Sequence, residues 1–487
     1  MLKTQVNDSI TSLDRNLREL LLRKELGQHF TPAYICKYMI EQIPAINPEL
    51  IIDLAVGSGE LLWYAKLEWP NCQISGFDVD DKLVGQCKSR FGIRGTFECL
   101  DSIRTDIKGI RNIVINSSDS GVADLALSNP PYGVITANDL DSDLLDTLSN
   151  HNLVWTSEKG DKQVHAEVAF LVRNLELIKD KGYIAILLPD GAISGVKTEP
   201  FRHFLRSYMK LLHIISLPSN SFDSCEARIT LLIAQKSSLE ENELNNTQLC
   251  TLNGNIDPIQ TVTVKQNDLL FRMDPKYHFT KKSLEKVKDK FGCLNNYIDS
   301  CSRGYGFYSK DRNLLTVDSD FDYIHSVNIG DFMLRTPAHR VSVNKIVGEQ
   351  HRRALVKQGD VLFVRVGKGC VGRCAIVNSL HSYAFASDCV YILSSQRIDT
   401  YYLCLYLNTR FAKNYFDACC RGVCSQYIIK EDLLNMPLYL PKPEVIERLS
   451  GEFKTILDQI NLAQVPASHL ALASVLTDLL DALIIAV

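Results

Sequence analysis

The chain has 487 residues, 46% of them hydrophobic and 23% charged, which is too long for one core and too ordinary for a disordered or fibrous protein. The first twenty residues carry charges where a secretion signal needs an apolar run, and the apolar tail Leu470 to Val487 is broken by Asp478 and Asp481; no signal peptide or membrane span is expected, and the location reads as cytoplasmic. The net charge of −4 is unevenly spread: residues 1–265 hold 26 basic and 34 acidic side chains, residues 266–440 hold 24 and 17, and residues 441–487 hold 3 and 6. Only the middle segment has the basic surplus that a phosphate backbone selects, although a solvated charged face has the same composition.

In chain order, residues 1–30 form an N-terminal helical segment. Within it 7–25 read as an amphipathic helix, with Asn7 or Ser9 as cap and Ile10, Leu13, Leu17, Leu20 and Leu21 on one face. Residues 31–240 alternate short apolar runs (50–54, 73–77, 125–127, 183–188, 211–217, 229–234) with helix-length amphipathic stretches, notably 166–178. That alternation predicts an α/β, doubly wound, mainly parallel sheet. The polar stretch 237–248 then changes the texture, and a domain boundary is expected near 240–265. Residues 265–440, with short strands and many glycines and aromatics, read as a mixed α+β domain. Residues 441–487 form a C-terminal helical segment. In it Ile446, Leu449, Phe453, Ile456 and Ile460 make an apolar seam, followed by the run Leu472, Leu476, Leu479 and Leu483. These stripes fit pairing with a partner or a second copy as well as packing within the chain.

Fifteen cysteines in a chain without a secretion signal are expected to be reduced. The clusters Cys370 with Cys374, and Cys419, Cys420 with Cys424, lack the paired two-residue spacing of zinc ligands, so no metal is expected.

Chemistry concentrates at the ends of the apolar runs. In IIDLAVGSGELL (51–62) a strand ends at Asp53, and Gly57 and Gly59 allow a sharp turn into a helix. Leu62 stands where the dinucleotide fingerprint has its third glycine, which argues against NAD. Asp78 ends the next strand and is placed for ribose hydroxyls, and Asp101 follows the third run and is a candidate for an adenine amino group. These three strand ends suit a ligand with adenosine and no phosphates. In ALSNPPYG (126–133), Asn129, Pro130, Pro131 and Tyr132 directly follow a buried strand. An exocyclic amino nitrogen is a poor nucleophile because its lone pair is delocalised into the ring. The Asn129 side-chain oxygen and the Pro130 carbonyl can accept its hydrogens and stabilise the charge that develops on attack, while Tyr132 can stack on the base.

These motifs resemble those of the adenine-N6 amino-methyltransferases of DNA restriction-modification systems with the gamma motif order. GQHFTP (27–32) resembles the family's N-terminal cofactor motif, which implies contacts from Phe30 and Thr31. DLAVGSG, GFDVD and CLDSI resemble its cofactor loop and acidic motifs, and SNPPYG its catalytic motif, Asn129 also lying against the cofactor. Phe222, in ISLPSNSFDSCEAR, stands where the family has an aromatic residue that stacks on the flipped adenine. Val56 replaces the frequent cysteine of the loop, and Asp101 lacks the usual following Phe.

The C-terminal half is similar to the target-recognition domains of type I specificity subunits, in FRMDPKYH (271–278), LVKQGDVLFVRVGKGCVGRCAIV (355–377) and the Pro-ended stretch leading to a spacer helix. The resemblance implies a Rossmann-like methyltransferase domain fused to a target-recognition domain, with S-adenosylmethionine as cofactor and double-stranded DNA as substrate. It makes Arg335, Arg340, Arg352, Arg353, Lys357, Arg365, Lys368 and Arg373 the DNA-facing candidates. No nuclease constellation is present, so cleavage in such a system would sit on a separate restriction endonuclease subunit. A homodimer through the C-terminal helices would read a bipartite site. Methylation of a protein glutamine, RNA or cytosine N4, and a non-enzymatic recognition module, remain open from the residues alone.

Overall fold

The computed structural model describes residues 31–486 except for 115–121, 219–220, 223–227, 238–244, 286–290, 313–314, 317–320, 338, 342–348, 368, 382–383, 423–425 and 463–469. The chain divides into two compact units, one ending at Phe279 and one beginning at Thr280.

The first unit is built on a nine-stranded sheet in the order β12-β11-β9-β10-β8-β4-β1-β2-β3. Its strands are β1 (Leu50–Asp53), β2 (Gln73–Asp78), β3 (Thr96–Cys99), β4 (Ala123–Ser128), β8 (Ile178–Pro189), β9 (Met209–Ser216), β10 (Ile229–Lys236), β11 (Asn246–Leu252) and β12 (Pro258–Lys265). From β3 to β8 all pairs are parallel, with Asp53 opposite Gly76 and Ile51 opposite Leu125. β10 then runs antiparallel between β8 and β9.

Both faces of this sheet are covered, which is why its strands read as unbroken apolar runs. Alternate residues serve opposite faces: Leu50, Ile52, Ala126 and Ile186 join one apolar cluster, and Ile51, Leu125, Leu127 and Leu187 the other. Helices Ala33–Glu41, Glu60–Glu68 and Asp81–Phe91 bury their apolar stripes on the second cluster. Helices Ile107–Val114, Ser142–Asn150, Ala166–Leu177 and Glu199–Tyr208 cover the first. The doubly wound expectation therefore holds. The chain winds from β1 out to β3 and returns to β4 on the other side of β1. That reversal opens a crevice at the carboxyl ends of β1 and β4.

Two features depart from the sequence reading. The boundary expected at 240–265 falls later, because β11 pairs in parallel with β9 and β12 pairs with β11. Leu249 and Val262 extend one apolar cluster and Cys250 and Leu252 the other, so the texture change at 237–248 is a crossing between strands of one sheet. FRMDPKYH also belongs wholly to this unit, where buried Arg272 holds Asp274 at 2.6 Å and the Met273 N–H donates to the Ile193 carbonyl. The second feature is a small antiparallel sheet of β5 (Val134–Thr136), β6 (Trp155–Thr156) and β7 (Lys162–His165), inserted directly after Gly133.

In the second unit, strands Ser300–Arg303, Val361–Val364, Cys374–Ile376 and Val390–Ser394 form a four-stranded antiparallel sheet. The seam of helix Pro443–Asn461 packs inside this unit: Leu449, Phe453 and Ile456 are buried, and the Phe453 ring lies 5.8 Å from Phe332 and 6.2 Å from Tyr401. In helix Ala471–Ile485 the buried face is Ala473, Leu476, Thr477, Leu480 and Ile484, whereas Leu472, Val475, Leu479 and Leu483 are exposed. Among the described residues no disulfide or metal-ligating group occurs, and no helix is long and apolar enough to cross a membrane.

Candidate active site

At the β1 end of the crevice the backbone bends sharply. Gly57 and Gly59 take φ of 53° and 78°, in the left-handed region that glycine enters without strain. A Cβ at Gly59 would stand 2.9 Å from the Phe91 ring, so the turn also needs the missing side chain for space. Gly59 precedes helix Glu60–Glu68, whose first N–H groups face the turn. Asp53, the last residue of β1, is fully buried. Burial pushes its carboxyl up to about 7, the Ala55 N–H draws it back, and the nearby charge of Asp78 adds to the rise. Asp78, at the end of β2, accepts from the N–H groups of Gly57 (2.9 Å) and Asp80 (3.0 Å); burial is the main reason its pKa is also raised.

On the β4 side, Asn129 is gripped at both ends of its amide. Its Nδ2 donates to the Thr31 hydroxyl at 2.9 Å, and its Oδ1 accepts from the Tyr132 hydroxyl at 2.9 Å. Thr31 is buried, directly before helix Ala33–Glu41, so a residue 98 positions away in sequence sets the rotamer of Asn129. Pro130 is buried and Tyr132 half-buried against the apolar cluster that holds Phe222. A cavity of about 30 Å³ joins these parts, lined by Thr31, Asp53, Gly57, Glu60 and Asn129 among others. Glu60 pairs with Arg90 at 2.7 Å. The lining thus carries two carboxylates and no Lys or Arg. Such a donor set fits a cationic ligand with hydroxyl groups better than a phosphate.

The expected site residues divide accordingly. Thr31, Asp53, Gly57 and Asn129 line the cavity, and Gly59, Asp78 and Tyr132 adjoin it through the turn and hydrogen bonds described above. Asp101 is not brought there: its carboxylate caps the turn by accepting from the N–H groups of Ile103 and Arg104 and pairs with the Arg104 guanidinium. Phe222 is 7% exposed, its ring turned into the apolar cluster. Phe30 lies outside the described residues.

Sequence reasoning missed Glu60 and Glu167. Glu167 is buried in the first turn of helix Ala166–Leu177 and accepts from the Gly133 N–H at 3.3 Å; burial pushes its carboxyl up to about 7. The available signal was a lone carboxylate opening an otherwise apolar stretch, AEVAFLV.

In the second unit, Arg352, Arg353 and Lys357 line a cavity of about 820 Å³ together with Arg303, Lys310 and Lys430, which the sequence did not single out. Asp388 matches Arg303 at 2.9 Å, and Glu349 pairs with Arg353. Arg365 is set over the Tyr391 ring, 5.3 Å from its centre, and donates to the Asp388 carbonyl. Arg335 and Arg340 are exposed, Arg340 pairing with Asp322. Arg373 donates to the Gly369 carbonyl beside a separate cavity of about 280 Å³. Lys368 lies outside the described residues.

Among known proteins, the chain is similar to the methylase subunit of the type I restriction enzyme EcoEI from Escherichia coli, 27% identical over 222 residues, 42% of this chain and 42% of that one. It is also similar to the MpnII methylase subunit from Mycoplasma pneumoniae, 22% identical over 227 residues, 44% of this chain and 41% of that one. The match spans less than half the length of either relative. Of solved structures, the type IIG restriction endonuclease BpuSI gives a TM-score of 0.47 at 14% identity, covering 88% of this chain and 61% of that one. The DrdV–DNA complex gives 0.49 at 11% identity, covering 89% and 57%. Residues 21–296, more than half of the chain, match the N-6 DNA methylase family, and the chain belongs to that family.

Proposed function

We propose that the chain is a site-specific DNA methyltransferase that transfers methyl from S-adenosylmethionine to adenine N6, reading double-stranded DNA through a type I specificity-like domain in its C-terminal unit. Family membership supports the reaction class. The observation that carries the proposal is the Thr31–Asn129–Tyr132 hydrogen-bonded chain at the end of β4, beside an acid-lined crevice. S-adenosylmethionine, when bound, supplies a methyl group made electrophilic by its sulfonium charge. Asp53 offers a carboxylate to a positive ligand beside Glu60, which is paired with Arg90, and Asp78 stands at the next strand end for a ribose. Motif order along the chain, from Thr31 through the glycine turn to Asn129, supports the gamma class.

Asn129 does the polarising. With Nδ2 held by Thr31 and Oδ1 accepting from the Tyr132 hydroxyl, the amide plane sits at a set orientation. Oδ1 and the Pro130 carbonyl together accept the adenine amino hydrogens and stabilise positive charge on nitrogen as the new bond forms; Pro131 stiffens the turn. The Tyr132 ring stacks on a base taken out of the duplex, and Phe222 turns out from its cluster to cover the other face. Arg352, Arg353 and Lys357 carry DNA phosphates in the large basic cavity, and Arg335, Arg340, Arg365, Arg373 and, from the sequence alone, Lys368 are the further DNA-contact candidates. A separate endonuclease subunit supplies cleavage. The exposed stripe Leu472, Val475, Leu479 and Leu483 supports a homodimer through the last helix.

Purified protein incubated with DNA and labelled cofactor tests this reading. Label is expected in N6-methyladenine, with incorporation by Asn129→Ala reduced about a hundredfold or more. Wild-type turnover by that variant, or label in a protein acceptor alone, would overturn it.

A further inference from the structure

The turn that presents Asn129 and Tyr132 ends at Gly133, and both polar groups of Gly133 are taken by the start of helix Ala166–Leu177. The Ala166 N–H donates to the Gly133 carbonyl at 2.8 Å, and the Gly133 N–H donates to Glu167 Oε2 at 3.3 Å. Gly133 has φ of 121°, a conformation that side chains rarely adopt, so the two grips act on a backbone bend that only glycine takes easily. Glu167 sits in an inhospitable place for a carboxyl. Its side chain is 4% exposed, and the residues that follow it, Val168 to Val172, are all buried and apolar. The half-buried His165 places its Nδ1 3.7 Å from Oε1, but burial lowers the His165 pKa and disfavours the charge that would pair with the acid. His165 is itself fixed by pairing with Val134 across β5 and β7 and by the Trp155 ring at 4.9 Å. A buried acid is costly unless its partners compensate, and its position in the first helical turn, facing the positive end of the helix dipole, recovers only part of that cost. The hydrogen-bond donors that remain are its own backbone N–H and the Gly133 amide, and only the second ties it to the turn.

We propose that Glu167 is a positioning residue for the methyl-transfer site, latching Gly133 so that the Asn129–Tyr132 turn keeps the geometry the reaction needs. The inference rests on the function proposed above. Its logic is that of a hydrogen bond at one remove: Glu167 touches no substrate, but a turn released at its last residue lets the Asn129 amide and the Tyr132 ring drift, and displacements of an ångström lower turnover more than binding.

Three proteins test it: wild type, Glu167→Ala and Glu167→Gln. The glutamine keeps an oxygen that accepts from Gly133, so it is expected to retain turnover within about threefold. The alanine is expected to lose about tenfold or more in kcat, with DNA KM and calorimetric cofactor affinity within about twofold of wild type. Glu167→Met, similar in volume and without an acceptor, replaces the alanine if that variant does not fold. Equal kcat for folded alanine or methionine variants overturns the inference, as does a glutamine variant as impaired as the alanine. Hydrogen exchange at the Gly133 amide supplies a readout independent of catalysis. It should quicken in Glu167→Ala and return in Glu167→Gln, and unchanged exchange overturns the latch. A wild type that latches Gly133 in this way yet methylates no DNA would refute the proposed function alone.

Discussion

The orientation of the Asn129 side chain is not set by its sequence neighbours alone. Its type and place after a buried strand are legible in the sequence, but its rotamer depends on Thr31, brought alongside by helix Ala33–Glu41. Asp53 makes the same point electrostatically. A buried carboxyl raised from the ordinary 3.8 to about 7 disfavours its charged form. Because the folded-state value lies above the unfolded one, its contribution to stability is largest below about pH 4 and is lost as pH rises through 7. A cationic ligand wants the opposite, the ionised form. Cofactor affinity is therefore expected to strengthen as pH rises from 6 to 8, and Asp53→Asn should bind more weakly with that dependence flattened. Calorimetry across the range checks both, and a pH-independent wild type would show that Asp53 does not face the cofactor charge.

At the scale of elements, hydrophobic periodicity located the strands of the α/β unit well, because a strand covered on both faces must be apolar throughout. It failed at 240–265 because a polar linker looks the same whether it leaves a domain or crosses to another strand of the sheet. The C-terminal seam was ambiguous for a related reason: period reports that a stripe is buried and is silent on what buries it. The structure assigns Leu449, Phe453 and Ile456 to the interior of their own unit. Phe453→Ala is accordingly expected to destabilise that unit by about 3–5 kcal/mol, whereas Leu479→Ala, on a side chain 49% exposed, should change it by about 0.5 kcal/mol or less. Denaturant unfolding of the two variants separates the faces, and similar losses would mean the stripes were assigned wrongly.

Across the whole molecule, the basic surplus of residues 266–440 is partly spent internally: Arg303, Arg340 and Arg353 have acidic partners, and Arg365 is held over Tyr391. Lys310 and Lys430, which the sequence did not single out, join Arg352 and Lys357 on the wall of the cavity of about 820 Å³ in the C-terminal unit. If that wall carries the DNA backbone, replacing Lys310 and Lys430 together by Ala should lower the slope of log affinity against log salt by about 2, equally for cognate and unrelated sequences. Titrations at several salt concentrations measure the slope, and an unchanged value would remove the cavity from the DNA path.

Local chemistry along the chain was enough to reveal the α/β class, the glycine turn after β1, the Asn-Pro-Pro-Tyr stretch and the basic character of the C-terminal half. Each of these is written in neighbouring residues, through side-chain period, backbone freedom or charge. The grip of Thr31 on Asn129, the diversion of Asp101 to Arg104, the burial of Phe222 and the latch of Glu167 on Gly133 were decided by tertiary structure alone. They join or separate residues distant in sequence, and whether a polar group faces a ligand or is consumed by a neighbour depends on packing that no local pattern encodes.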